Sequence, residues 1–146
     1  MLGDAAPLIE SAAWLHDIGY AEPIAHLGFH PVDGARFLRN ETDADELICR
    51  LVAHHTAAEI EAGERHLPAV ATEFEPPPLS LLEALIYCDM TASVDGQTVD
   101  VEQRLAEILT RYPANHVVHR SITRSAPLLR AATDNTAKRL TERLAR

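Results

Sequence analysis

The sequence predicts an all-α protein, a compact bundle of about six to seven helices. Three observations carry that reading. Apolar residues recur at spacings of three and four along most of the chain, no stretch alternates with period two for long enough to form a sheet, and Gly, Pro and capping residues punctuate the helical stretches at short intervals. Apolar residues make up 47% and charged residues 24% of the 146 positions, the balance of a chain that buries a core, and one domain spanning residues 1–146 accommodates it.

Asp4 is placed to cap a first helix that takes Pro7 in its first turn and runs Leu8, Ala12, Leu15, with His16 at the edge of the stripe and Trp14 expected in the core. Gly19 and Pro23 end it, and Gly28 and Pro31 keep HLGFHP from being continuous helix. A second helix is expected over 31–39, with Phe37 in the core. Thr42 or Asp43 reads as the N-cap of the next, in which Ile48, Leu51, Val52 and His55 follow the helical stripe while His54 leaves on its flank. Residues 57–70 are helical in composition but interrupted by Gly63 and Pro68, and EFEPPPLS is an extended surface loop. In LSLLEALIYCDMTA the stripe Leu82, Leu85, Ile86 continues onto Asp89, which puts a carboxylate on the core-facing side. SVDGQ reads as a turn, DVEQRLAEILTRY as a helix ending before Pro113, and residues 115–146 as helix with a break at Pro127. His116 and His119 flank that helix start and read as structural, and His66 as solvent-facing.

Cys49 and Cys88 lie in apolar segments and read as thiols in a reducing cytoplasm, and no stretch has the length and apolarity of a signal peptide or a membrane span. A formal charge of −9 disfavours non-specific binding to duplex nucleic acid. A small anionic substrate remains compatible with that charge if a bound divalent metal supplies the positive centre.

The chemistry concentrates in histidine and aspartate. His16-Asp17 offers an imidazole nitrogen and a carboxylate from adjacent residues, His54-His55 adds two nitrogens, and Asp89 is a buried carboxylate that coordination would satisfy. Metal so held activates water and polarises a phosphoryl oxygen, the requirement for hydrolysing a phosphate ester.

Through AWLHDIGY, LVAHHT and LIYCDM, residues 8–92 resemble the HD-domain metal-dependent phosphohydrolases with an HDIG-type motif, and the C-terminal helices, 99–146, follow that core. The resemblance implies that His16, Asp17 and Asp89 bind a metal, that His30, His54 and His55 complete a site of one or two ions, and that His16 and Asp17 are catalytic. It implies Mn, Fe, Mg, Zn or Ni as the ion, and a phosphate mono- or diester of a nucleotide or small metabolite as substrate. Tyr20, at a position where many members carry lysine, and His26, Arg36 and Arg50 are the residues placed to meet that substrate.

The family's first ligand is a histidine on a helix before the His-Asp motif, whereas the residues preceding His16 include no histidine. Either the native product starts upstream of Met1, or the protein works with a reduced ligand set, in the limit as a catalytically weak or inactive regulatory or oligomerising module. The core exposed by a missing helix would be covered by homodimerisation or by the C-terminal helices.

Overall fold

The computed structural model describes residues 5–145. Over them the chain forms seven α-helices: α1 Ala6–Leu15, α2 His30–Glu41, α3 Glu46–His54, α4 Ala58–Glu64, α5 Leu79–Met90, α6 Val101–Arg111 and α7 Val117–Leu144. Single 3₁₀ turns lie at Ile18–Tyr20, His55–Ala57 and Val70–Thr72. No strand occurs among the described residues, only an isolated bridge between Ala92 and Thr98 that closes the turn before α6. The all-α architecture of six to seven helices expected of the sequence is the one observed.

Pro7 sits in the first turn of α1 as expected, while Asp4, the expected cap, lies outside the described residues. Ile9 and Ala12 enter the core, but Trp14 is 83% exposed. Two residues past Ala12, Trp14 lies about 200° further round the helix and so faces solvent. Phe37 packs against the core from its edge. The cap of α3 is Asp45, whose side chain accepts from Leu47 N at 2.8 Å. Thr42, expected there, instead closes α2 by donating its hydroxyl to the Leu38 carbonyl at 2.7 Å.

Two apolar clusters share α5. One joins α1, α2, α3 and α4 around Phe29, Leu38, Leu51, Val52, Phe74 and Leu85. The other joins the C-terminal half of α5, through Ile86 and Met90, to Leu105 and Ile108 of α6 and to Ile122 and Leu129 of α7. Glu83 of α5, buried, accepts from Asn135 at 2.8 Å and from Arg139 at 2.6 Å, which pins α7 across α5.

The break expected at Pro127 does not occur, since α7 is continuous from Val117 to Leu144. Proline inside a helix loses a hydrogen bond and costs about 3 kcal/mol. Burial of Ser125, Ala126 and Leu129 around it offsets that cost, about 2 kcal/mol for the leucine alone.

Candidate metal centre

Four helix ends meet at the seam between the two clusters, and each brings a side chain that can bind metal. His16 and Asp17 follow α1, His30 opens α2, His55 follows α3, and Asp89 sits in the last turn of α5. The last carbonyls of a helix have no partner within it, and an imidazole just beyond can bond them. His16 Nδ1 lies 2.8 Å from the Ala13 carbonyl and His55 Nδ1 lies 2.6 Å from that of Val52. Each Nδ1 therefore carries the proton it donates, and each Nε2 is aimed away from its helix into the seam.

The approach of α2 depends on a glycine. A Cβ on Gly19 would stand 2.0 Å from the His30 carbonyl oxygen, and one on Gly34 would stand 3.0 Å from Gly19 N. Only bare backbone lets the Ile18–Tyr20 turn lie against the first turn of α2 and bring His30 beside Asp17. Asp33, buried in that first turn, accepts from Leu27 N at 2.8 Å and Gly28 N at 2.9 Å, and so holds the preceding loop.

The donors are spaced as donors around shared ions would be. Asp17 Oδ2 is 3.5 Å from His16 Nε2, which is 3.6 Å from Asp89 Oδ1. Asp17 Oδ1 is 3.4 Å from His30 Nε2 and 3.8 Å from His55 Nε2, and those two nitrogens are 3.1 Å apart. Donors about 2.1 Å from one ion stand about 3.0 to 3.4 Å apart at octahedral or tetrahedral angles, and the observed separations of 3.1 to 3.8 Å reach that range or exceed it by a few tenths of an ångström, so small side-chain shifts would close this set on a divalent ion. His16 Nε2 thus lies near a carboxylate oxygen of both Asp17 and Asp89, while the other Asp17 oxygen lies near His30 and His55. One donor atom each from His16, Asp17 and His55 also lie within 4.8 Å of one another.

Charge in the metal-free centre is sharply divided. Burial opposes charging of His16, yet the carboxylates of Asp89 and Asp17, 3.6 and 3.5 Å from its Nε2, raise it to about 9. Burial, then the neighbouring His55 and His16, push His30 down to about 2. Burial and His16 lower His55 as well. Asp89 would be raised by burial, but His16, His55 and the Thr56 hydroxyl hold it well below the usual carboxylate range. Thr56 and Ala57 have φ of 47° and 60°, left-handed backbone at two consecutive residues with side chains, costing about 1 kcal/mol or more each. That turn aims His55 and lets Thr56 donate to Asp89.

His54, expected to bind metal, faces elsewhere. It is buried with Nε2 2.7 Å from the Phe74 carbonyl. One turn earlier on α3, Arg50 donates to the carbonyls of Glu75 at 2.8 Å and Pro76 at 2.5 Å. A proline-rich loop has few N–H groups and cannot satisfy its own carbonyls, so donors from α3 do so. Arg36, in turn, forms a two-point pair with Glu73 of the same loop, at 2.8 and 2.7 Å. In the structure Arg36, Arg50 and His54 hold this loop and are not among the converging donors. His26 lines a separate cavity with Asp33 and Phe37 that shares no residue with the cavity at the donors. Tyr20 lies beside the donors, stacked on His30 at 3.9 Å between ring centres.

Asp17, His30, His55 and Asp89 line a cavity of about 350 Å³ whose far wall comes from α6 and the start of α7, through Arg104, Ile108, Arg111, Tyr112 and Val118. None of these residues carried a signal in the sequence beyond helical spacing. Asp33 did carry one, as a carboxylate in the first turn of a helix that follows a glycine-containing loop. On the other side of His16 and Asp89, a largely apolar groove of about 790 Å³ opens between α1 and α5, bordered by Trp14 and Val94.

No helix among the described residues is long and apolar enough to cross a membrane. Comparisons with curated proteins and with solved structures give no match. The HD domain family model matches residues 1–92, well over half of the chain and the stretch that carries all five converging donors. The chain belongs to the HD domain family.

Proposed function

We propose that the protein is a metal-dependent phosphohydrolase that cleaves a phosphate mono- or diester of a nucleotide or other small metabolite. The observation that carries this reading is the set of donors converging on the two oxygens of Asp17, with the Nδ1 atoms of His16 and His55 already spent on helix-end carbonyls. Asp17 would bridge two ions, with His16 and Asp89 completing one side and His30 and His55 the other. Three imidazoles with two carboxylates favour Mn, Fe, Zn or Ni over Mg, which prefers oxygen donors. A bound divalent ion there supplies Lewis-acid polarisation of a phosphoryl oxygen and lowers the pKa of bound water toward neutrality.

The protein's own residues set the conditions for that chemistry. Burial keeps His30 and His55 neutral and ready to ligate. Thr56 holds Asp89 in orientation through its hydroxyl. Tyr20 covers the outer face of His30 and borders the cavity mouth beside Asp17, whose side chain is 57% exposed. A cavity of about 350 Å³ accommodates a metabolite-sized ester rather than a polymer.

The test is elemental analysis of protein purified without chelator, paired with hydrolysis of bis(p-nitrophenyl) phosphate in Mn²⁺. Near-stoichiometric metal and turnover, both lost in His55→Ala, are expected. Metal-free protein that turns over nothing with any of several added metals would overturn the reading.

A further inference from the structure

We propose that Arg104 of α6, outside the stretch matched by the family, is the residue that grips the phosphoryl oxygens of the substrate beside the metal donors. The inference rests on the phosphohydrolase reading for its substrate and names the group that would bind it.

The side chain of Arg104 is only 14% exposed, and its guanidinium donors are unevenly used. Nη1 donates to Glu107 at 2.7 Å. Nη2 stands 3.7 Å from Asp89 Oδ1, beyond hydrogen-bond reach. Nε is buried without a partner, the one buried side-chain nitrogen or oxygen in that position among the described residues. A buried donor left without a partner is costly and rare in folded proteins, and the commonest resolution is a ligand or an ordered water. Nε and Nη2 lie along the same edge of the guanidinium, where two parallel N–H bonds match two oxygens of a phosphoryl group.

Position and competition both favour that use. Arg104 lines the 350 Å³ cavity that holds Asp17, His30 and His55, and also the 790 Å³ groove that reaches His16, so an oxyanion taken up by its unpaired edge is adjacent to both donor groups. Asp89 accepts a hydrogen bond from the Thr56 hydroxyl, whereas Arg104 Nη2 and His16 Nε2 stand about equally far from its other oxygen, at 3.7 and 3.6 Å, so Arg104 is not closed into a dedicated pair with it. Glu107, the partner of Nη1, is shared with Arg111 and leaves the other edge unspent. The arginines that the sequence offered for phosphate, Arg36 and Arg50, hold the 73–76 loop instead. The wall contributed by α6 therefore supplies what the family-matched half lacks, a buried cation with a free two-point edge.

The experiment is a calorimetric titration of the Mn²⁺-loaded full chain with inorganic phosphate, with metal content measured on each protein. The variants are Arg104→Gln, Arg104→Lys and, as a control on the surface pair with Glu102, Arg130→Gln. Arg104→Gln is expected to weaken phosphate binding by about 10- to 100-fold with metal content unchanged. Arg104→Lys, which keeps the charge and loses the fork, is expected to fall between it and the unmutated chain, and Arg130→Gln to bind as the unmutated chain does. Phosphate binding within about twofold of the unmutated chain in Arg104→Gln overturns the proposal. So does loss of metal together with phosphate, which would assign Arg104 to holding Asp89. If Arg104→Gln does not fold, Arg104→Lys decides, since unmutated affinity in that variant overturns the two-point contact. Phosphate binding that depends on Arg104 in a protein that hydrolyses no ester would fell the functional reading and leave this one standing. Hydrolysis that persists with phosphate binding indifferent to Arg104 would do the reverse.

Discussion

Loading the centre with metal at pH 8 should release close to one proton from His16. Asp89 and Asp17 hold that imidazole charged in the metal-free protein, up to about 9, whereas an ordinary histidine titrates near 6.5. At pH 8 the first is about 90% protonated and the second about 3%. Ligation requires neutral imidazole, so the bound proton must leave. His30 and His55, already neutral because of burial and the charge of His16, contribute none. The apparent affinity for Mn²⁺ should therefore rise nearly tenfold from pH 7 to pH 8, where an unperturbed histidine would change it by less than about 1.5-fold.

Calorimetric titrations in two buffers of different ionisation enthalpy give the proton count directly. Asp89→Asn supplies the control that separates His16 from a metal-activated water, because it removes the main partner holding His16 charged while keeping the imidazole in place. Proton release should fall well below the unmutated value in that variant. A release near zero at pH 8, with affinity flat from pH 7 to pH 8, would refute the assignment of a charged His16. The reasoning that places Asp89 and His16 as one ion-binding pair would fall with it.

The same charges set the pH range in which the metal-free protein is most stable. His16, raised in the folded state, contributes stability that is complete below about 6.5 and lost as pH rises toward 9; His30, depressed, costs stability as pH falls below about 6.5, roughly 2 kcal/mol by pH 5, and His55 adds in the same direction. Denaturant midpoints of metal-free protein should peak between those limits, and a midpoint still rising from pH 6.5 down to pH 5 would contradict the buried neutral pair. His55→Ala should abolish metal binding, whereas His54→Ala should keep metal and lose about 2 kcal/mol of stability by leaving the Phe74 carbonyl unpaired. Equal metal loss in both single variants would return His54 to the ligand set. Gly19→Ala drives a Cβ to 2.0 Å from backbone and should cost about 3 kcal/mol or more, with metal lost because His30 is pushed from Asp17. A variant of normal stability and metal content would show that the turn and α2 need not approach so closely.

The residues legible in the sequence are those whose role is decided locally. His16-Asp17 ends an apolar stripe beside Gly19, His55 continues the stripe of Ile48, Leu51 and Val52, and Asp89 continues that of Leu85 and Ile86. Helical phase and a terminating residue therefore placed all of them at core-facing helix ends. His54 differs from His55 by one residue and about 100° of phase, and its fate depends on a loop 20 positions away whose prolines leave carbonyls in need of donors. Arg36 and Arg50 are taken by the same loop across comparable separations. A charged residue on an exposed helix face has no sequence signature of its eventual partner, and these partners are set by how 73–78 folds back on α2 and α3.

Arg104 shows the same gap from the other side. Its sequence neighbours, in VEQRLAEIL, describe an ordinary amphipathic helix, with Leu105 and Ile108 inward and Glu102 and Glu107 outward. Packing of α6 near Asp89 turns a flanking arginine into a buried cation with one edge open. On the proposed function the two halves of the chain would divide the work by physical type: helix ends in the first two-thirds would hold the positive ions, and α6 and α7 would build the wall that an oxyanion meets. On a chain with a net charge of −9, attraction for such a substrate would have to come from that meeting point, which would make the C-terminal helices as much a part of the site as the ligands.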